Sequence, residues 1–199
     1  MRRYGKHVCL NSILLGCLFF ASSDGNAQDK WDVANSQVKR LSPSSFSELP
    51  RPVVRYLQLK HCTIPQLWYE PNPHNVIRGM FVRNGQYDWA VLCSRNRISS
   101  ILIFWNGSIR NLSQIAKAAD KVYLQTVGDR DNGGVGFSRI ISVVGRKYIL
   151  DHYKEYGGPK PPPINHQGIN DAYAEKASMV LYYHGRYYGR RWLELAGAD

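Results

Sequence analysis

Acidic side chains are in short supply. Only 15 Asp and Glu stand against 26 Lys and Arg among 199 residues, a formal net charge of +11. Such an excess attracts polyanions, but charge alone sets solubility and non-specific attraction rather than function. Catalytic signatures are absent as well. There is no Gly-x-Ser-x-Gly elbow, no HExxH or HxxxH pair and no phosphate-cradling glycine loop. That removes the sequence-local forms of serine hydrolase, zinc peptidase and nucleotide-binding chemistry. No exact repeat is visible, and the one long apolar run, Val8 to Ala21, is too short for a comfortable membrane span.

What is present begins with that run. Arg2, Arg3 and Lys6 precede it and Gly25-Asn26-Ala27 follows it, the layout of a secretory signal peptide over residues 1–27. Leu14-Leu15-Gly16-Cys17 offers a rival reading, a lipobox with the lipid on Cys17, although Leu18-Phe19-Phe20 stands where a polar tether is usual. Either way the sequence predicts a bacterial protein exported to the periplasm or beyond. Removal of residues 1–27 leaves 23 basic and 14 acidic side chains, a net charge of +9. It also leaves two of the four cysteines, Cys62 and Cys93. In an oxidising compartment an even pair is most simply a disulfide; a Cys nucleophile would need one thiol kept reduced there.

The full 199-residue sequence has 44% hydrophobic and 21% charged residues, ordinary for a globular fold. Residues 28–44 read as a lead-in of low order, and 45–199 as one domain. Ser45-Phe46-Ser47-Glu48 matches a capping box, but Pro50 and Pro52 forbid one uninterrupted helix; a single turn is expected there, then a helix from about Pro52 to His61 with Val53, Val54 and Leu57 on one face. Val76–Arg83, Asp88–Ser94 and Ser99–Trp105 are strand-sized runs parted by Asn84-Gly85-Gln86 and Arg95-Asn96-Arg97. The second and third are apolar on both alternating faces, which predicts central strands covered on both sides. Ser113–Ala119 reads as a short helix, Val122–Val127 and Phe137–Val144 as strands. Gly145–Tyr156 reads as a helix with Ile149, Tyr153 and Tyr156 on one stripe. Ala177–Tyr183 and Tyr187–Leu195 read as a closing hairpin. The expected fold class is α+β: a single domain, mainly antiparallel β-sheet, with two or three packed helices.

Gly79-x-Phe81-x-x-Asn84-Gly85-x-x-Asp88-x-Ala90-Val91-Leu92 resembles the FG-GAP or VCBS repeat of propeller domains, whose Asp- and Asn-rich loop holds calcium. The resemblance gives Gly79, Phe81, Gly85 and Asp88 structural roles and Asn84 a ligand position. Val82 and Arg83, however, occupy places where that family supplies oxygen ligands, and calcium wants six to eight oxygens with several carboxylates. The stretch is therefore expected to be a tight turn. DWAVLCSR, YILDHYKEYGGPKPPP and the terminal GAD resemble a family of secreted bacterial proteins to which no activity is attached.

Three constellations bear on function. Gly128-Asp129-Arg130-Asp131-Asn132-Gly133-Gly134 starts like a calcium loop through Asp129 and Asp131, but fails at its fifth and twelfth positions, Gly133 and Ile140. A mobile hairpin loop explains the same residues. Arg186, Tyr187, Tyr188, Arg190, Arg191 and Trp192 interleave cations with aromatics, a pattern that suits an envelope polyanion or a glycan and equally an ordinary strand pair. His152 with Asp151, and His166 with Asp171, are the candidates for a hydrolytic site assembled only in three dimensions. The expectation is a non-catalytic binding module of the cell envelope without a cofactor, a sequence-specific nucleic-acid partner or, once the signal is gone, a transmembrane helix. The alternative is a secreted hydrolase built on those His and Asp residues.

Overall fold

The structure, a computed structural model, describes residues 29–128, 134–187 and 190–198. Along the chain come α1 (Lys30–Gln37), β1 (Arg40–Leu41), α2 (Arg51–Leu59), β2 (Ile64–Pro65), β3 (Val76–Gly79), β4 (Asp88–Arg95), β5 (Ile98–Phe104) and β6 (Leu112–Ala119). They are followed by β7 (Leu124–Val127), β8 (Gly134–Phe137), β9 (Arg139–Val144), α3 (Arg146–Tyr156), β10 (Gly168–Tyr173), β11 (Ala177–Tyr187) and β12 (Arg190–Ala198). All strand pairings are antiparallel: one sheet in the order β3-β4-β5-β6, a second in the order β12-β11-β10-β9, and two-stranded pairs β1-β2 and β7-β8. The fold is α+β and mainly β.

Side-chain alternation explains how the layers stack. From the first sheet, Ala90, Leu92, Ile101 and Ile103 point into a cluster they share with Ile141, Ile169 and Leu181 of the second. The intervening residues Val91, Cys93, Leu102 and Phe104 point the other way, onto Val53 and Leu57 of α2. On the far side, Val144, Val180, Tyr182 and Leu195 meet Ile149 of α3. The order is thus helix, sheet, sheet, helix. The period-2 runs in β4 and β5, apolar on both faces, are central as their sequences imply.

Polar residues tie the two sheets together where the core ends. Arg139, fully buried, donates to both oxygens of Asp171 at 2.9 and 2.7 Å, to Ser99 Oγ at 3.0 Å and to the Ala116 carbonyl at 2.7 Å. Its guanidinium also lies 4.4 Å from the Tyr123 ring centroid. Burial pushes the Tyr123 phenol up, an effect that the Arg139 charge partly opposes. Asn75, buried at a positive φ of 68°, donates to the Pro65 and Arg139 carbonyls and accepts from the Ile141 amide. A buried charge that keeps a bidentate partner and further acceptors is tolerated; one deprived of them is not.

Several expectations are corrected. The segment read as a poorly ordered lead-in holds a helix, α1, capped by Asp29, which accepts from the Trp31 amide. Lys121 bridges Asp29 at 2.9 Å and Asp32 at 2.8 Å, contacts 89 and 92 residues away in sequence that no local pattern reveals. The hydrogen bond from Lys121 holds the Asp29 carboxyl below its usual range. The helix expected from about Pro52 is present as α2, which begins after Pro50 with Pro52 in its first turn, where a missing amide costs nothing. Ser113–Ala119 is strand β6 rather than a helix. Its local propensity yields to pairing with β5, through Ile101↔Ile115 and Phe104↔Leu112. On α3, Ile149 and His152 are buried while Tyr156 is 46% exposed, so the tyrosine stripe is not the inward face. β10 falls in residues 157–176, to which the sequence pattern assigns no element. The expected tight turn is present at Asn84-Gly85, closed by the Gln86 amide on the Arg83 carbonyl, but β3 ends at Gly79 instead of Arg83, so the turn lies within a wider loop built on the fully buried Asp88. Asp88 accepts from the Phe81 and Asn106 amides and from Gln86 Nε2.

Candidate functional site

The sequence candidates are not gathered into one place. Asp151 faces solvent, bonded to Lys147 and Lys154; the hydrogen bond from Lys147 holds its carboxyl low. His152 sits between Tyr148 and Tyr156, and its Nε2 lies 3.2 Å from Ser178 Oγ. That contact ties α3 to β11. His166 stacks on Tyr182 with ring centroids 4.2 Å apart, and its Nδ1 pairs with the Gln167 carbonyl. Asp171 belongs to the buried Arg139 pair. Asp129 and Asp131 lie outside the described residues, and no cluster of three or more metal-ligating side chains occurs among the described ones.

The last hairpin divides likewise. Trp192 stacks on Trp105 with centroids 5.9 Å apart and meets Tyr183 at 5.5 Å, partly buried against the core that the two sheets share. Arg191 is exposed. The side chains of Arg186, Tyr187 and Arg190, and Tyr188 altogether, lie outside the described residues.

A basic pocket does form elsewhere, on the outer face of the first sheet. α2 covers that face only over Val91, Cys93, Leu102 and Phe104. Beyond its C-terminus the same face carries Arg95, Ile98, Ser100, Gln114 and Lys117, and with Asn96 and with Lys60 and His61 at the helix end they line a half-open concavity of about 420 Å³. The lining contains no carboxylate. Lys60, Arg95 and Lys117 form no ion pair among the described residues; Lys60 lies 5.8 Å from the Tyr56 ring centroid. At the floor Ser100 is 3% exposed and accepts from Gln114 Nε2 at 3.0 Å, which leaves its own hydrogen to donate.

Three local devices build this pocket. The first is the end of α2. Cys62 N bonds the Leu57 carbonyl and His61 N the Gln58 carbonyl, the paired closure of a Schellman motif. His61 occupies the left-handed position, φ 52°, where glycine is the default. The second is the Cys62–Cys93 disulfide, with Cα atoms 5.5 Å apart. It fastens the residue after His61 to the strand that ends in Arg95. The third is a bulge in β6. Between the pairs Ile101↔Ile115 and Ser99↔Ala118, β6 has one residue more than β5, and Ala116 takes φ 50°. Gln114 and Lys117, three apart, would face opposite ways in a regular strand; the extra residue turns both to the pocket. The same bulge presents the Ala116 carbonyl to Arg139.

Sequence reading passed over this site. Lys60-His61 and Arg95 were visible as a helix end and a turn, but reading residues 113–119 as a helix hid Gln114 and Lys117. The available signal was the cysteine pair, which brings positions 61 and 95 close. No family model, curated protein or solved structure matches the chain.

Proposed function

We propose that the chain is an exported bacterial binding module that uses this pocket to hold an anionic group of an envelope polyanion. The observation that carries the reading is the convergence of Lys60, Arg95 and Lys117, with His61, around a cavity whose lining has no carboxylate. Fixed like charges repel in the empty site and are relieved by an anion. Ser100 and Gln114 supply directional bonds where the lysines supply charge. The leader at residues 1–27 and the net charge support export and a polyanionic partner. The disulfide fits an oxidising compartment, and no described helix is long and apolar enough to cross a membrane.

Thermal melts of the chain from Gln28 onward test the proposal against inorganic phosphate, polyphosphate and heparin. A ligand specific to the folded state raises the midpoint with concentration. The midpoint is expected to rise with the polyanions, less so at high salt, and the Arg95→Ala and Lys117→Ala variants are expected to lose most of the rise. Equal rises in wild type and both variants would show that the pocket is not the site.

A further inference from the structure

A second concavity, of about 420 Å³, lies on the other side of β2, between α1, the loop that follows β2, and β8. Its prominent feature is a pair of aromatics left in solvent: Trp68 is 44% exposed and Tyr69 47%. Their rings meet edge to face, centroids 5.0 Å apart at 85°. Scattered exposed aromatics need no explanation, but this pair is held by an elaborate frame. Gln66, 2% exposed, donates to the carbonyls of Ile64, Pro65 and His74 and accepts from the His74 amide. His74 Nε2 accepts from the Leu67 amide at 2.6 Å, and the Trp68 amide bonds the Phe137 carbonyl. The loop backbone is therefore fixed at the point where it turns two large rings outward.

The seat of Trp68 is equally specific. A Cβ added at Gly136 would fall 2.6 Å from Trp68 Cβ and Cγ and 2.9 Å from Cδ1, distances no real side chain shows. Glycine at 136 is what lets the indole settle against β8 and leave its other side to the cavity. Polar groups rim the aromatic floor. Glu70 uses one oxygen on the Asn72 amide, at 3.1 Å, and has the other for a ligand. Gln37 and Lys39 face it from the end of α1.

We infer that this groove binds a pyranose ring of a neutral saccharide. One flat indole with a tyrosine standing at right angles to it gives a platform and a wall. That suits a disc-shaped ring whose C–H face is apolar and whose edge carries hydroxyls. A polyproline helix would need successive parallel aromatic slots instead. The carboxylate, amide and ammonium at the rim match the mixed donors and acceptors of ring hydroxyls. Its volume lies within the range of small-molecule sites. The inference does not rest on the anion pocket, which shares no lining residue with this groove.

The test is a titration of the chain from Gln28 onward with maltotriose, cellotriose and chitotriose, and with a hexaproline peptide, read by tryptophan fluorescence and by saturation-transfer NMR. At least one trisaccharide is expected to bind. Trp68→Ala is expected to weaken it by roughly tenfold or more, the scale of one lost stacking contact. Gly136→Ala, which keeps the indole but displaces it, should do likewise, whereas Glu70→Gln, a change at the rim that leaves the frame intact, should weaken binding less. Lys117→Ala should leave saccharide binding untouched, which separates this result from that of the anion pocket. The inference is overturned if no trisaccharide binds, if binding survives Trp68→Ala in protein that melts normally, or if only the peptide binds.

Discussion

At the scale of single residues, His61 departs from local preference at the end of α2. An L-residue in the left-handed region costs about 1 kcal/mol relative to glycine, and His61 accepts that cost at the position closing α2. Breaches of local rules gather at functional sites, where strain is offset elsewhere. His61→Gly is therefore expected to stabilise the fold by roughly 0.5–1 kcal/mol in urea denaturation, while lowering affinity for polyanions. A variant that loses stability would show that the imidazole, rather than the backbone, supports this corner. Asp171 makes the opposite case. Its partner Arg139 is fully buried, so Asp171→Ala leaves an uncompensated charge and is expected to cost about 3–5 kcal/mol. Replacing both, as Arg139→Met with Asp171→Leu, should recover much of that loss. If the single and double variants melt alike, the pair does not carry the junction between the sheets.

Elements tell how much could be read in advance. β4 and β5 were legible because a strand covered on both faces writes an uninterrupted apolar run. α2, which starts at Arg51, was legible from its prolines and apolar stripe. β6 was not. Gln114-Ile115-Ala116-Lys117-Ala118-Ala119 has ordinary helical propensity, and what makes it a strand is a neighbour, β5, that buries its Ile115 side. α1 was missed for a related reason: its docking rests on Lys121, far along the chain. The candidate pocket inherits these gaps, since two of its residues stand on a bulge that sequence periodicity cannot show. The disulfide, by contrast, was foreseen from cysteine count and compartment alone, and it joins the two elements that face each other across the pocket. Closing 31 residues of chain, it is expected to contribute about 3–4 kcal/mol. Cys62→Ala with Cys93→Ala should lower the denaturation midpoint accordingly and weaken polyanion binding as well. Loss of stability with undiminished binding would mean that the clamp does not position Lys60 and His61.

For the whole molecule, the helix–sheet–sheet–helix order leaves little outer surface of the first sheet uncovered, and that remainder is basic. α2 ends before the sheet does, and the strip beyond it carries Arg95, Gln114 and Lys117 beside Ile98, over the buried Ser100, in place of the apolar residues that lie under the helix. A strip needed only for solubility would mix signs; this one holds cations without a carboxylate, which is how a site for an anion is written into a sheet. The most direct measurement of that claim is calorimetric titration of wild type and the Arg95→Ala/Lys117→Ala double variant with a short heparin oligosaccharide at low and high salt. Tight binding by wild type that falls with salt, and at least tenfold weaker binding by the double variant, is the predicted result. Equal affinities, with equal salt slopes, would contradict it.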